Sequence, residues 1–195
     1  LSNPLSRAEY LLELAGGEGN QVAAVAYEAE QPAKLPREAP PIPIGEDVSS
    51  IIFLHAAARR GVDDQGYRQI FNHADTAGLL GWYEVVYEDG LVETVPIRYG
   101  VNLFEWSRRY SEIYFADAVR CGGTAERPVT FYSFEWTNPR PGKAIQEVRL
   151  KGARCFRDYT GKVMRENAVL LAAVSVVKKR AFPGPVRATR QGQKP

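Results

Sequence analysis

Apolar and polar positions alternate with a period of two through much of the chain, which is the pattern of strands with one buried face. The clearest case is LLGWYEVVYEDGLVETVPIRYG (79–100), where Asp89-Gly90 separates two runs rich in branched and aromatic residues. That pair between such runs predicts a β-hairpin. A two-residue turn would pair Tyr87 with Val92. A three-residue loop with Gly90 in the left-handed conformation pairs Tyr87 with Leu91 instead and sets Tyr83, Val85, Tyr87, Leu91, Val95 and Ile97 on one face. The second register gives the more apolar face and is the one expected. Glu93 interrupts that face, so it belongs near a sheet edge or beside a partner.

Further strand segments are QVAAVAYEAE (21–30), VSSIIFLHAAA (48–58), VNLFEW (101–106, a short strand or turn), EIYFADAVR (112–120), VTFYSFEW (129–136), AIQEVRL (144–150) and AVLLAAVSVV (168–177). The run at 48–58 is nearly all apolar, as a buried strand requires. Gly, Pro and polar segments separate the strands, with no regular helical crossovers, and this predicts an all-β fold, an antiparallel β-sandwich. Near-helical spacing of Leu5, Tyr10, Leu11 and Leu14 before GGEGN predicts a short N-terminal helix or turn. QPAKLPREAPPIPIG reads as an extended connection, since proline supplies no ladder donor, and RRGVDDQGYRQIFNHADTAG as a long loop. The expected organisation is an appendage at 1–20, a sandwich domain at 21–177 and a basic tail at 178–195, which carries Lys178, Lys179, Arg180, Arg187, Arg190 and Lys194 without an acidic residue.

The 195 residues suffice for one substantial core. The formal charge of +2 is spread along the chain, so no nucleic-acid-binding field is expected. No apolar run reaches the roughly 20 residues of a membrane span, and no basic-then-apolar signal segment opens the sequence. Cys121 and Cys155 are too few for a disulfide framework or a zinc cluster; they form one bridge or two separate buried thiols.

The ordered set Tyr83, Val85, Tyr87, Asp89 and Gly90, then Val95, Pro96, Ile97, Tyr99, Gly100, Asn102 and Trp106, then Asn138, Pro139 and Pro141, resembles the galactose-binding-like jelly-roll domains attached to bacterial glycoside hydrolases. The resemblance covers about residues 21 to 177. It implies a jelly-roll accessory module, noncatalytic and often sugar-binding, extracellular or periplasmic, with a polysaccharide or oligosaccharide as partner. An adjacent catalytic domain or self-association is the other partnership it suggests. The segment KGARCFRDYTGKVMREN (151–167) departs from the compact connection of those domains.

Sugar recognition needs flat apolar surfaces against the C–H face of the ring and planar polar groups for its hydroxyls. Trp82, Trp106, Tyr110 and Trp136 are the candidate aromatics, with Asn102, Arg108, Arg109, Asn138 and Arg140 as polar companions. Trp136 alternates with Tyr132 and Phe134 and is expected in the core, whereas Trp106 precedes SRRY at a strand end. Asn138, before Pro139, is placed to brace a corner by side-chain to backbone hydrogen bonds. His55 lies inside an apolar run and reads as a hydrogen-bonded core histidine; His73 lies in a loop near Asp75. No GxSxG elbow, HExxH motif or phosphate-cradling glycine loop is present. The alternatives are an assembly module whose exposed aromatics bury against another chain or domain, and a small glycan hydrolase using loop carboxylates or His73; the hydrolase would need two carboxylates about 5–10 Å apart, which strand pairing could supply in a pair such as Glu84 with Glu93. Asp63 and Asp64 offer oxygens to a structural Ca²⁺ but match no EF-hand, so a solvated acidic pair is favoured.

Overall fold

A computed structural model describes residues 22–26, 35–59, 79–108, 113, 115–153 and 167–178. Outside these residues lie the N-terminal helix or turn, the 60–78 segment with Asp63, Asp64 and His73, Arg109 and Tyr110, Cys155 with most of the 151–167 segment, and the tail beyond Lys178. Every regular element among the described residues is a strand: β1 Ala23–Val25, β2 Ile42–Glu46, β3 Val48–Ala57, β4 Leu79–Tyr87, β5 Val92–Arg98, β6 Ala116–Gly123, β7 Pro128–Thr137, β8 Ile145–Gly152 and β9 Val169–Lys178.

The strands form two antiparallel sheets, ordered β1-β9-β3-β7-β6 and β2-β8-β4-β5. The pairings are nested: β1 with β9, β2 with β8, β3 with β7 and β4 with β5. This is an antiparallel ribbon folded over on itself from the β4–β5 hairpin outward, which is the jelly-roll arrangement, with β6 added beside β7. The hairpin takes the three-residue register. The Tyr87 N–H donates to the Leu91 carbonyl at 2.9 Å, Val85 lies opposite Glu93, and Gly90 has φ +81°. That backbone region is strained for a residue with a Cβ, which is why glycine occupies it. Leu91, at the tip, is exposed rather than part of the inner face, and Glu93 is half-buried on the outer strand of its sheet.

The inner faces carry the core. Tyr83, Val85 and Tyr87 of β4 and Ile51, Phe53 and His55 of β3 are fully buried. The Phe53 and Tyr83 rings stack with centroids 3.8 Å apart and planes 10° from parallel, and the His55 ring lies parallel to that of Phe134 at 6.0 Å. Removing each aliphatic or phenylalanine side chain among these from water stabilises the fold by about 1.5–3 kcal/mol. β3 is closed off on its other face too, since Ile52, Leu54 and Ala56 are buried, so the continuous apolar run at 48–58 matches its surroundings. The outer face of β4 and β8 is instead a charged surface: Glu147 pairs with Arg149 at 2.6 Å and Glu84 with Lys151 at 2.9 Å.

Four expectations need correction. The Pro-rich stretch is not only a connection, because Ile42–Glu46 joins β8 as an edge strand, where a missing proline donor costs no ladder bond if it faces outward; a register shift falls between Pro43 and Glu46. Lys151 and Gly152 belong to β8 rather than to an insertion. Lys178 ends β9 and pairs with Glu46 at 3.1 Å, so it is not part of a tail. Cys121 is free and exposed where β6 shifts register against β7, hence neither bridged nor a buried thiol. No helix among the described residues is long and apolar enough to cross a membrane.

Candidate functional site

The three tryptophans sit in three different settings. Trp82 projects from the outer face of the β2-β8-β4-β5 sheet, opposite to its neighbours Tyr83 and Gly81, and its indole N–H donates to Glu84 Oε1 at 3.2 Å. Trp136 lies opposite Ile51 and packs, partly buried, against the core. Trp106 is 40% exposed, and its carbonyl accepts from the Thr130 N–H at 2.8 Å. Trp136 lies six positions along β7 from Thr130, about 20 Å at the usual strand rise. The tryptophans therefore do not form one platform.

Around Trp106 the backbone is tightly built. The turn after β5 is closed by Asn102, whose Oδ1 accepts from the Arg98 N–H at 2.9 Å and whose Nδ2 donates to the Pro96 carbonyl at 2.9 Å. Residues 104–106 then run beside the end of β3: the Ala57 N–H donates to the Phe104 carbonyl at 2.8 Å and the Trp106 N–H to the Ala57 carbonyl at 3.0 Å. With Thr130 bonded to Trp106, this short segment occupies the gap left where β3 and β7 stop pairing beyond His55 and Tyr132. The chain there must be extended to bridge both neighbours, and Leu103-Phe104-Glu105-Trp106 supplies the bulk that fills the gap.

The side chains of this corner are held in place. The Trp106 indole N–H donates to the Ala58 carbonyl at 3.1 Å, which fixes the ring of this exposed residue. The Arg108 guanidinium lies 4.0 Å from the Phe104 ring centroid and 3.8 Å from Glu105 Oε2. Phe104 meets Tyr99 and Tyr132 edge-on, with centroids 5.3 and 5.9 Å away. Glu105 is 8% exposed and its Oε2 accepts from the Tyr99 hydroxyl. The Tyr132 hydroxyl is buried and has no hydrogen-bond partner among the described residues. Burial, and then the Glu105 charge, push it up to about 12, against the opposing pull of Arg108.

Of the residues expected to contact a sugar, this corner thus unites Trp106 and Arg108 and leaves Trp82 and Trp136 elsewhere. Asn102 and Asn138 are buried with their amides committed to the protein. Asn138 Oδ1 accepts from the Tyr87 hydroxyl at 2.7 Å and the Arg140 N–H at 2.9 Å, while Nδ2 donates to the Val48 carbonyl at 2.9 Å. Arg140 stacks 4.6 Å from the Tyr87 ring centroid and grips both Asp89 oxygens, at 3.0 and 2.8 Å. Its hydrogen bond, with the Lys143 charge nearby, holds the Asp89 carboxyl well below the usual range. This second corner braces the hairpin against the β7–β8 connection.

Sequence reasoning passed over Glu105, Tyr99 and Tyr132. Glu105 stands between Phe104 and Trp106, so strand alternation alone assigns it to the solvent side. A charged residue enclosed by aromatics in LFEW was the available signal, and only the fold supplies Tyr132, 27 residues on.

His55 is the core histidine expected. Its Nε2 lies 3.0 Å from the Asn102 carbonyl, which can only accept, so Nε2 carries the proton and Nδ1 accepts from the Tyr83 hydroxyl at 2.8 Å. Burial lowers its pKa to about 4, with the Asn102 bond opposing. The carboxylate pair Glu84 and Glu93 is not brought together. Glu84 lies opposite Thr94 and Glu93 opposite Val85, so they point to opposite faces of one sheet. Among the described residues no three His, Cys, Asp or Glu side chains gather into a metal-binding group.

No protein-family model, curated protein or solved structure matches the chain.

Proposed function

We propose that the protein is a noncatalytic recognition module that binds carbohydrate at the Trp106–Arg108 corner of its sandwich. The observation that carries this reading is Trp106 itself: a 40%-exposed indole whose N–H is tied to the Ala58 carbonyl. Such a ring offers its face to the C–H side of a sugar with little ordering cost on binding. Arg108, two residues on, lies with its guanidinium against Phe104 and Glu105, which makes it part of the same corner.

The sequence resemblance to galactose-binding-like accessory domains supports the same reading and adds its setting. The module would act outside the cytoplasm, tethered to a glycoside hydrolase. A weak sugar contact then raises the effective concentration of the tethered enzyme at its polymer. Glu84 and Glu93, one pair a hydrolase could use, point to opposite faces of their sheet.

Affinity electrophoresis through gels loaded with soluble polysaccharides tests the proposal. The protein is expected to be retarded in at least one gel and Trp106→Ala to migrate as in a sugar-free gel. Equal migration of both proteins in every gel would rule the reading out.

A further inference from the structure

Resting on that reading, we infer that Asn167 is a positioning residue of the site: it sets the Ala58–Arg59 peptide, and through that peptide the Trp106 ring. One peptide group carries the inference. Its carbonyl, from Ala58, accepts from the Trp106 indole N–H at 3.1 Å, and its N–H, from Arg59, donates to Asn167 Oδ1 at 3.0 Å. The N–H and C=O of a peptide unit lie in one rigid plane, so a contact that orients the first orients the second. The amide, the peptide and the indole thus form a continuous hydrogen-bonded chain, in which each bond polarises the next.

The surroundings show why an asparagine stands there. β3 and β9 pair as far as Ala57 and Val169, and the Ala58 N–H still donates to the Ala168 carbonyl at 2.9 Å. Beyond that point the Asn167 side chain takes the part of a strand's peptide group. Its Nδ2 donates to the Arg59 carbonyl at 2.8 Å, and its Oδ1 accepts from the Ala168 N–H at 2.9 Å as well as from Arg59. The partners fix which amide atom is which, since two N–H groups meet Oδ1 and a carbonyl meets Nδ2. Without Oδ1 the 58–59 plane is free to turn and to carry the Ala58 carbonyl away from the indole. The Trp106 backbone stays in place, because its N–H donates to the Ala57 carbonyl and its own carbonyl accepts from the Thr130 N–H. What is lost is the fixed orientation of the ring. A ring that must be ordered on binding costs about twofold to tenfold in affinity.

Asn167→Ala and Asn167→Asp test the inference. Aspartate still accepts from the Arg59 N–H but sets an oxygen against the Arg59 carbonyl, so it lowers the melting temperature while keeping the 58–59 plane. The Trp106 indole N–H signal, identified by its loss in Trp106→Phe, is followed by NMR without ligand, both as a chemical shift and as a rate of exchange with water. Retardation in the polysaccharide gels and melting temperature are recorded beside it. In Asn167→Ala the signal is expected to move upfield and to exchange faster, and affinity for the retarding polysaccharide to drop about twofold to tenfold. In Asn167→Asp signal and affinity should stay close to wild type although the protein melts earlier. Asn138→Ala, destabilised at the other corner, should also bind as the wild type does. An indole signal unchanged in Asn167→Ala overturns the inference. So does a signal displaced as far in Asn167→Asp as in Asn167→Ala, or an affinity that simply follows melting temperature across the three variants. Absence of wild-type retardation in every gel fails the sugar-binding reading alone, and the indole signal still decides whether Asn167 positions Trp106.

Discussion

The Tyr87 hydroxyl donates to Asn138 Oδ1 at 2.7 Å across 51 residues of chain, and through this bond the β4–β5 hairpin is locked to the turn that follows β7. Asn138 also accepts from the Arg140 N–H and donates to the Val48 carbonyl, so one amide ties three separate parts of the chain. Replacing it by alanine strands all three partners in a buried setting and is expected to cost roughly 3 kcal/mol. Tyr87→Phe, which leaves Asn138 with its two backbone partners, should cost about 1 kcal/mol. Urea unfolding measures both. Comparable and negligible losses would show that this corner is not the brace described, and sugar retention by the folded Asn138→Ala protein would confirm that the residue is not a ligand contact.

His55 and Glu84 make the fold acid-sensitive, through different chemistry. The His55 pKa falls from 6.5 in the unfolded chain to about 4 in the fold, so below 6.5 the unfolded state binds the extra proton first. Its share of stability is complete above 6.5 and declines as pH drops through that window, the loss reaching roughly 3 kcal/mol by the time pH reaches the folded value. Glu84 is held below 4.5: partial burial opposes the shift, and hydrogen bonds from Lys151 and Trp82 outweigh it. Its contribution is present above 4.5 and disappears as pH falls through the lower folded value. Unfolding free energies measured in steps from neutral pH to about pH 4 should fall first over the histidine range. A flat profile there would contradict the buried, neutral His55.

Gly81 is required by proximity rather than by turn geometry. A Cβ built on it would lie 2.3 Å from the Lys151 carbonyl oxygen, inside the β4–β8 ladder. Neither backbone can yield without parting the sheet. Gly81→Ala should therefore destabilise by about 2 kcal/mol or more, read as a lowered urea midpoint. Gly90→Ala has open space around it and should cost less, about 1 kcal/mol, from its φ alone. The reverse order would contradict the pairing of β4 with β8.

Glu84 and Glu93 face opposite sides of the sheet, so neither can complete the other's chemistry. Glycan turnover assays on the wild type, Glu84→Gln and Glu93→Gln should give the same background. Hydrolysis that vanishes in Glu84→Gln would contradict the noncatalytic reading.

The hairpin was legible because its information is local: Asp89-Gly90 sets the turn, and the apolar face chooses between two registers. The strand at 42–46 was hidden by its prolines, which forbid a central strand but not an edge beside β8. Trp106 was legible as an exposed aromatic at an element's end, but its surroundings were not. The Glu105 environment depends on where β3 and β7 separate, and the proximity of Tyr132 to Phe104 is a product of topology. Asn138 illustrates both sides, since NP marks a corner by itself while the Tyr87 partner waits on the fold.

The most direct test of the account is an NMR titration of the three tryptophan indole N–H signals with a neutral sugar or polysaccharide that retards the protein. Trp106 is expected to shift, identified by its loss in Trp106→Phe, while Trp82 on the opposite sheet and Trp136 against the core stay in place. Shifts at Trp82 or Trp136 with Trp106 unmoved would contradict the account.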